Sequence, residues 1–193
     1  MCIRDRYYLG AKALATAAPT DARGKDRQVV DYDVTPENMA QKGLAYETEP
    51  LAADLLVTGH PIVELWVSST ATDGDFVAVL QDVAPDGKAV SINMHGRLRA
   101  SHRALGEAPY DNLGLPWHPS TQADLQPLVR GKPTLLTFDV LPISMVFKAG
   151  HRVRLVLTFA AGTATERRKP APTVTVYRDA GHPSSITLPV IPG

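Results

Sequence analysis

Apolar and polar residues alternate with a period of two along most of this chain. From Leu44 onward, runs at Leu44–Thr48, Asp54–Thr58, Pro61–Ser69, Asp75–Ala84 and Ala89–His95 succeed one another with turn residues between them. That pattern predicts short strands rather than helices. In Pro61–Ser69 both parities are apolar, Val63, Leu65 and Val67 on one side and Ile62 and Trp66 on the other, with Glu64 the exception. Such a run predicts a central strand covered on both faces, with Trp66 in the core. Val77, Val79 and Val83 share a side, Ala84-Pro85-Asp86-Gly87 supplies turn chemistry, and Val90, Ile92 and Met94 follow at period two. The expectation there is a hairpin.

Alternation returns at Leu136, Phe138 and Val140; at Val153, Leu155, Leu157 and Phe159; at Val174 and Val176; and at Ile186, Leu188 and Val190. The tally is roughly ten or more short strands, with helix confined to a turn opened by Thr35–Asn38. The fold class is therefore all-β, a jelly-roll β-sandwich of two antiparallel sheets packed face to face.

Two stretches break the pattern. Residues 104–133 form a long, polar, Pro-bearing loop containing Pro109-Tyr110-Asp111-Asn112-Leu113-Gly114-Leu115-Pro116-Trp117-His118. Loops of this length usually carry function or cover a surface. Tyr110, Trp117 and His118 are accordingly the candidate ligand or domain contacts, since flat aromatic rings stack well on sugar faces and neighbouring surfaces. At the start, Met1–Arg6 does not look like a natural beginning and is expected to be non-native or frayed, with the first strand entered at Tyr7-Tyr8-Leu9.

Composition narrows the function classes. The length of 193 residues and 44% hydrophobic content suit one domain with one core, residues 1–193. Twenty basic residues balance 20 acidic ones for a formal net charge of +0, which argues against a face built for nucleic acid or an anionic membrane. The single cysteine, Cys2, excludes an intrachain disulfide and a Cys-based zinc site. No apolar run approaches the ~20 residues that span a bilayer.

Catalytic and metal patterns are missing. No serine stands in a Gly-x-Ser-x-Gly elbow, and the adjacent Ser101 and His102 would point to opposite faces of a strand. The six histidines lack the spacings that bring two imidazoles onto one metal. Thr72-Asp73-Gly74-Asp75 lacks the further ligands of a calcium loop and reads as a solvated turn, while Asp82 and Asp86 read as turn caps. No catalytic, cofactor-binding or metal-binding residue is assigned, and no cofactor is expected.

Four ordered segments carry a resemblance: Asp75–Gly87, Gly96-Arg97-Leu98-Arg99-Ala100-Ser101-His102-Arg103, Val146–Leu155, and Val176-Tyr177-Arg178-Asp179-Ala180-Gly181-His182-Pro183-Ser184. Together they resemble the C-terminal domain of the CocE/NonD hydrolases, a group that includes X-prolyl dipeptidyl peptidases and cocaine esterase. The resemblance runs from about Tyr7 to Pro192 and implies a galactose-binding-domain-like jelly roll. It implies that this domain packs on a separate α/β-hydrolase domain carrying Ser, Asp and His, and helps shape its substrate pocket. The whole protein would hydrolyse an ester, an amide or an Xaa-Pro-bonded dipeptide. The expected partner is that catalytic domain, with a homo-oligomer as a further expectation and no nucleic acid or membrane partner. The sequence departs from the family at Thr35–Gly43 and Ala160–Pro172. Arg97, Arg99, Arg152 and Arg154 are expected to pair with acids on adjacent strands. A free-standing carbohydrate- or peptide-binding module using Tyr110 and Trp117 is the alternative.

Overall fold

The computed structural model describes residues 3–161 and 165–192, with the side chain of Asn93 outside that description. In chain order its elements are β1 (Ile3–Leu9), β2 (Leu14–Ala15), β3 (Lys25–Val29), the one-turn helix α1 (Met39–Lys42), β4 (Leu44–Glu47), β5 (Leu55–Gly59), β6 (Ile62–Ser69), β7 (Asp75–Val83) and β8 (Ala89–Arg99). There follow β9 (Thr134–Asp139), β10 (Ile143–Phe147), β11 (Arg152–Thr158), β12 (Thr173–Asp179), β13 (His182–Pro183) and β14 (Ser185–Ile191). The larger sheet runs β10-β5-β14-β6-β12-β13, with β1 on β14, β2 on β1, β3 on β12 and β9 on β6; the smaller runs β4-β11-β7-β8. The two sheets form the expected sandwich.

Strand alternation builds one core between them. Val63, Leu65 and Val67 of β6, Leu136 and Phe138 of β9, and Ile186 and Leu188 of β14 join Phe76, Ala78 and Leu80 of β7 and Val153, Leu155 and Leu157 of β11 in one buried cluster. The hairpin β7–β8 forms as predicted, but it is longer and carries an irregularity between Val79 and Gln81 where its register shifts. Gly96 lies just beyond that shift, and a Cβ there would come within 2.6 Å of the Asp139 carbonyl oxygen. The absence of a side chain thus lets β8 run against the end of β9.

One open parity is settled and two expectations change. The Phe76 parity of β7 faces the core, so Val77 and Val79 lie on the outer face of the smaller sheet. Trp66 is only half-buried, because it shares the outer face of β6 with Ile62 and Glu64 rather than the core face with Leu65. The frayed start expected over residues 1–6 does not hold for residues 3–6. Ile3 through Tyr8 pair with Val190 through Ser185, the backbone ladder outweighing the mixed charges of Arg4, Asp5 and Arg6.

One joint organises the larger sheet. Along a single edge, β6 pairs first with β14 (Ile62, Val63 and Glu64) and then with β12 (Val67, Ser68 and Ser69). Between these ladders the Trp66 N–H donates to the hydroxyl of Ser184 at 2.9 Å, and Ser184 is fully buried. The turn before Ser184 is held by Asp179, whose carboxylate accepts the backbone N–H groups of Gly181 (2.9 Å) and His182 (2.8 Å). Ser184→Ala leaves the Trp66 N–H without its acceptor. A loss on the order of 1–3 kcal/mol is expected, measured as a lower midpoint in urea with an unchanged slope.

Candidate functional site

Residues 104–133 are not a slack connection. His118 bridges two backbone carbonyls, Nδ1 lying 3.1 Å from the oxygen of Ala104 and Nε2 3.0 Å from that of Thr137 on β9. Further along, the Gln126 N–H donates to the Ser101 carbonyl, the Leu128 N–H to that of Thr72, and the Leu128 side chain is buried. Gly106 admits the Trp117 ring: a Cβ at Gly106 would stand 3.2 Å from that ring and 2.9 Å from Pro119.

The loop tip is held in a defined shape. The Asp111 and Asn112 side chains accept the N–H groups of Leu113 and Gly114, and the Asn112 amide donates to the Leu115 carbonyl at 2.7 Å. Leu113 sits at φ 57°, uncommon for a residue with a branched side chain, and is 74% exposed. Tyr110 beside it is also exposed.

Trp117, Leu115 and Pro116 wall a groove of about 420 Å³ on the outer face of the larger sheet, floored by Ile62, Glu64, Thr137 and Thr187 and rimmed by Arg4 and Arg6. Of the three predicted site residues, Trp117 lines the groove and His118 ties the loop to β9 beside it. Tyr110 lies outside it and forms no shared aromatic platform with Trp117. The sequence reading missed Arg4, Arg6 and Glu64. Arg4 and Arg6 stand two apart, the spacing of neighbours on one strand face, inside a segment set aside as frayed.

Arg6 pairs with Glu64 at 2.9 Å. Strand register places Arg4, Arg6, Lys25 and Arg27 on the same outer face as Trp66. Among the described residues, Arg4, Lys25 and Arg27 form no ion pair. Around Trp66, His182 packs edge-on with ring centroids 5.0 Å apart, and Tyr177 lies 5.3 Å from His182.

The histidines recur in one arrangement. His60 Nδ1 lies 2.8 Å from Asp139, His151 Nδ1 2.9 Å from Asp82, and His182 Nδ1 3.1 Å from Asp179. This is the His–Asp half of a catalytic triad, in which the far ring nitrogen must meet a nucleophile. Among the described residues no hydroxyl bonds the Nε2 of any of the three. No group of three or more His, Cys, Asp or Glu side chains is disposed to hold a metal ion among those residues either. No helix among them is long and apolar enough to cross a membrane.

The Asp73–Asp75 segment is not the solvated turn expected. Asp75 is 1% exposed and accepts hydrogen bonds from Arg97 (3.0 Å) and the Thr165 hydroxyl (2.8 Å). Asp73 accepts from Arg99 (2.7 Å) and from both the N–H and the hydroxyl of Ser101. Arg154 and Arg152 share Glu47, at 2.7 and 3.5 Å. All four arginines singled out by sequence thus pair within the domain. Asp86 caps the hairpin turn through the Lys88 N–H, whereas Asp82 holds His151 instead.

Comparison with known proteins decides the family. The sequence model of the X-Pro dipeptidyl-peptidase C-terminal non-catalytic domain matches residues 4–187. The chain belongs to this family. A putative serine esterase of Mycobacterium bovis is 39% identical over 96% of this chain. The cocaine esterase of Rhodococcus sp. is 30% identical over 77% of it. The chain spans 33% and 25% of those two relatives' lengths. Among solved structures, a CocE/NonD family hydrolase from Staphylococcus aureus superposes with a TM-score of 0.77 at 20% identity, over 98% of this chain and 37% of that one. An aminopeptidase from a Thaumarchaeota archaeon does so at 0.79 and 19%, over 98% and 37%. Both share the fold of this C-terminal domain.

Burial alone would push the Asp73 carboxyl up, but the hydrogen bonds from the Ser101 N–H and from Arg99 outweigh it and hold the group below its ordinary value. A carboxylate so depressed adds stability above its unfolded pKa of about 3.9 and loses it as the pH falls through the lower folded value. Asp73→Asn is therefore expected to lower stability at pH 7 by on the order of 1–3 kcal/mol. The deficit should shrink below about pH 4, as read by urea unfolding at several pH values.

Proposed function

We propose that this chain is the non-catalytic C-terminal part of a larger CocE/NonD-type serine hydrolase, one that cleaves an ester, an amide or an Xaa-Pro bond on a separate α/β-hydrolase domain. The observation that carries this reading is the family match across residues 4–187 in a chain spanning a third of a relative named a serine esterase. The geometry supports it: the three His–Asp pairs brace strand ends and turns, and each engages its own carboxylate.

Loop 104–133 and the outer face of the larger sheet form the contact with the hydrolase domain in this reading. Leu113 and Tyr110 present apolar surface on a tip already ordered by its own hydrogen bonds, so little conformational freedom is lost on docking. Arg4, Lys25 and Arg27 supply positive charge on the neighbouring sheet face. The complement is an apolar patch with an acidic rim. Two copies of this chain meeting through the same face would oppose like charges, which disfavours self-association there.

The part of the mycobacterial relative that this chain does not match serves as the partner in a calorimetric titration. Saturable binding is expected, weakened at least about tenfold by Leu113→Asp, since an exposed apolar anchor is worth more than 1.4 kcal/mol when buried at an interface. Arg27→Glu should weaken it most at low salt. No binding, or binding indifferent to both substitutions, would count against this contact.

A further inference from the structure

The outer face of the smaller sheet holds a second cleft, of about 430 Å³, within the range of roughly 300–1,000 Å³ typical of small-molecule sites. Its floor is Val77 and Val79 of β7, and Met39 of α1, Pro36 and Ile92 close over it. The hydroxyl-bearing Thr35 and Thr158 also line it, and three further polar groups stand in one row on β8. Arg97 is the cross-strand neighbour of Val77, His95 of Val79, and Ser91 of Gln81.

All three are hydrogen-bond donors with capacity to spare. Arg97 uses one terminal nitrogen on Asp75 at 3.0 Å, and Asp75 is only 1% exposed and does not line the cleft. The Ser91 hydroxyl accepts the Gln81 amide at 2.9 Å and keeps its own hydrogen to give. The His95 ring is exposed and hydrogen-bonds to no described residue. Among the described residues no Asp or Glu lines the cleft.

We propose that this cleft binds a small apolar carboxylate, its hydrocarbon on Val77, Val79 and Met39 and its carboxylate on Arg97 and His95. A donor row without acids selects an acceptor-rich head, and a guanidinium with free N–H groups favours a planar anion over a neutral carbonyl. The apolar floor requires the rest of the ligand to be hydrocarbon. This site lies on the sheet opposite the loop-lined groove, and the inference stands whether or not that groove docks a hydrolase domain.

The test is a titration of the isotopically labelled 193-residue chain with benzoate and hexanoate, followed by amide chemical shifts, with benzamide and hexanamide as neutral counterparts. Saturable shifts are expected at Val77, Val79, Ile92, His95 and Arg97, with the acids binding at least about tenfold tighter than the amides. Val79→Phe, which fills the floor, should abolish the shifts. His95→Ala, at an exposed position that leaves the fold intact, should weaken binding several-fold and decides the matter if Val79→Phe does not fold. Absence of saturation, equal binding of acid and amide, shifts centred on Trp117, or unchanged affinity in His95→Ala would each overturn the proposal.

Discussion

Strand β6 runs unbroken where its neighbours do not, and the larger sheet depends on how that mismatch is resolved. One edge of β6 is shared by β14 and β12, which are joined by the turn at Asp179–Ser184. A backbone N–H facing the gap would be buried without a partner, at a cost comparable to a lost hydrogen bond. The Ser184 hydroxyl supplies the partner, and Asp179 sets the turn that places it. With the joint closed, β9 and β14 keep their register on β6. That register decides which side chains floor the groove beneath Trp117.

Charge is distributed by the same logic. The chain is neutral overall, yet its charges are sorted by surface. On the smaller sheet, arginines at alternating positions are matched by Asp73, Asp75 and Glu47. On the larger sheet Arg6 is matched by Glu64, whereas Arg4, Lys25 and Arg27 share its outer face with no ion pair among the described residues. Composition cannot reveal such sorting, because it emerges only when register places residues distant in sequence on one face.

The sandwich, the hairpin and most strand positions are legible in the sequence because short apolar runs, alternating at period two in most strands and apolar on both parities in β6 and β7, are separated by turn residues. Trp66 departs from expectation for a definable reason: an outer sheet face can be apolar while only partly covered, and the sequence pattern is the same in either case. Val77 and Val79 shared a side as expected, but parity alone does not say which side is the core. Residues 3–6, expected to be frayed because Met1–Arg6 does not read as a natural beginning, pair with β14 through the backbone, which no side-chain pattern announces. Trp117 and His118 drew notice through loop length and residue type, and they do stand at the groove. Asp75 could not have been recognised as buried, since its partners Arg97 and Thr165 are 22 and 90 residues away.

The family match identifies the chain as a C-terminal non-catalytic domain. The domain is of a non-catalytic family, and its three His–Asp pairs brace strand ends and turns. Treatment of the folded chain with a serine-directed fluorophosphonate, followed by intact mass spectrometry, tests that assignment most directly. The account predicts an unmodified mass and no hydrolysis of a short-chain nitrophenyl ester above the buffer rate. A stoichiometric adduct on one serine, with turnover abolished by the same reagent, would contradict it.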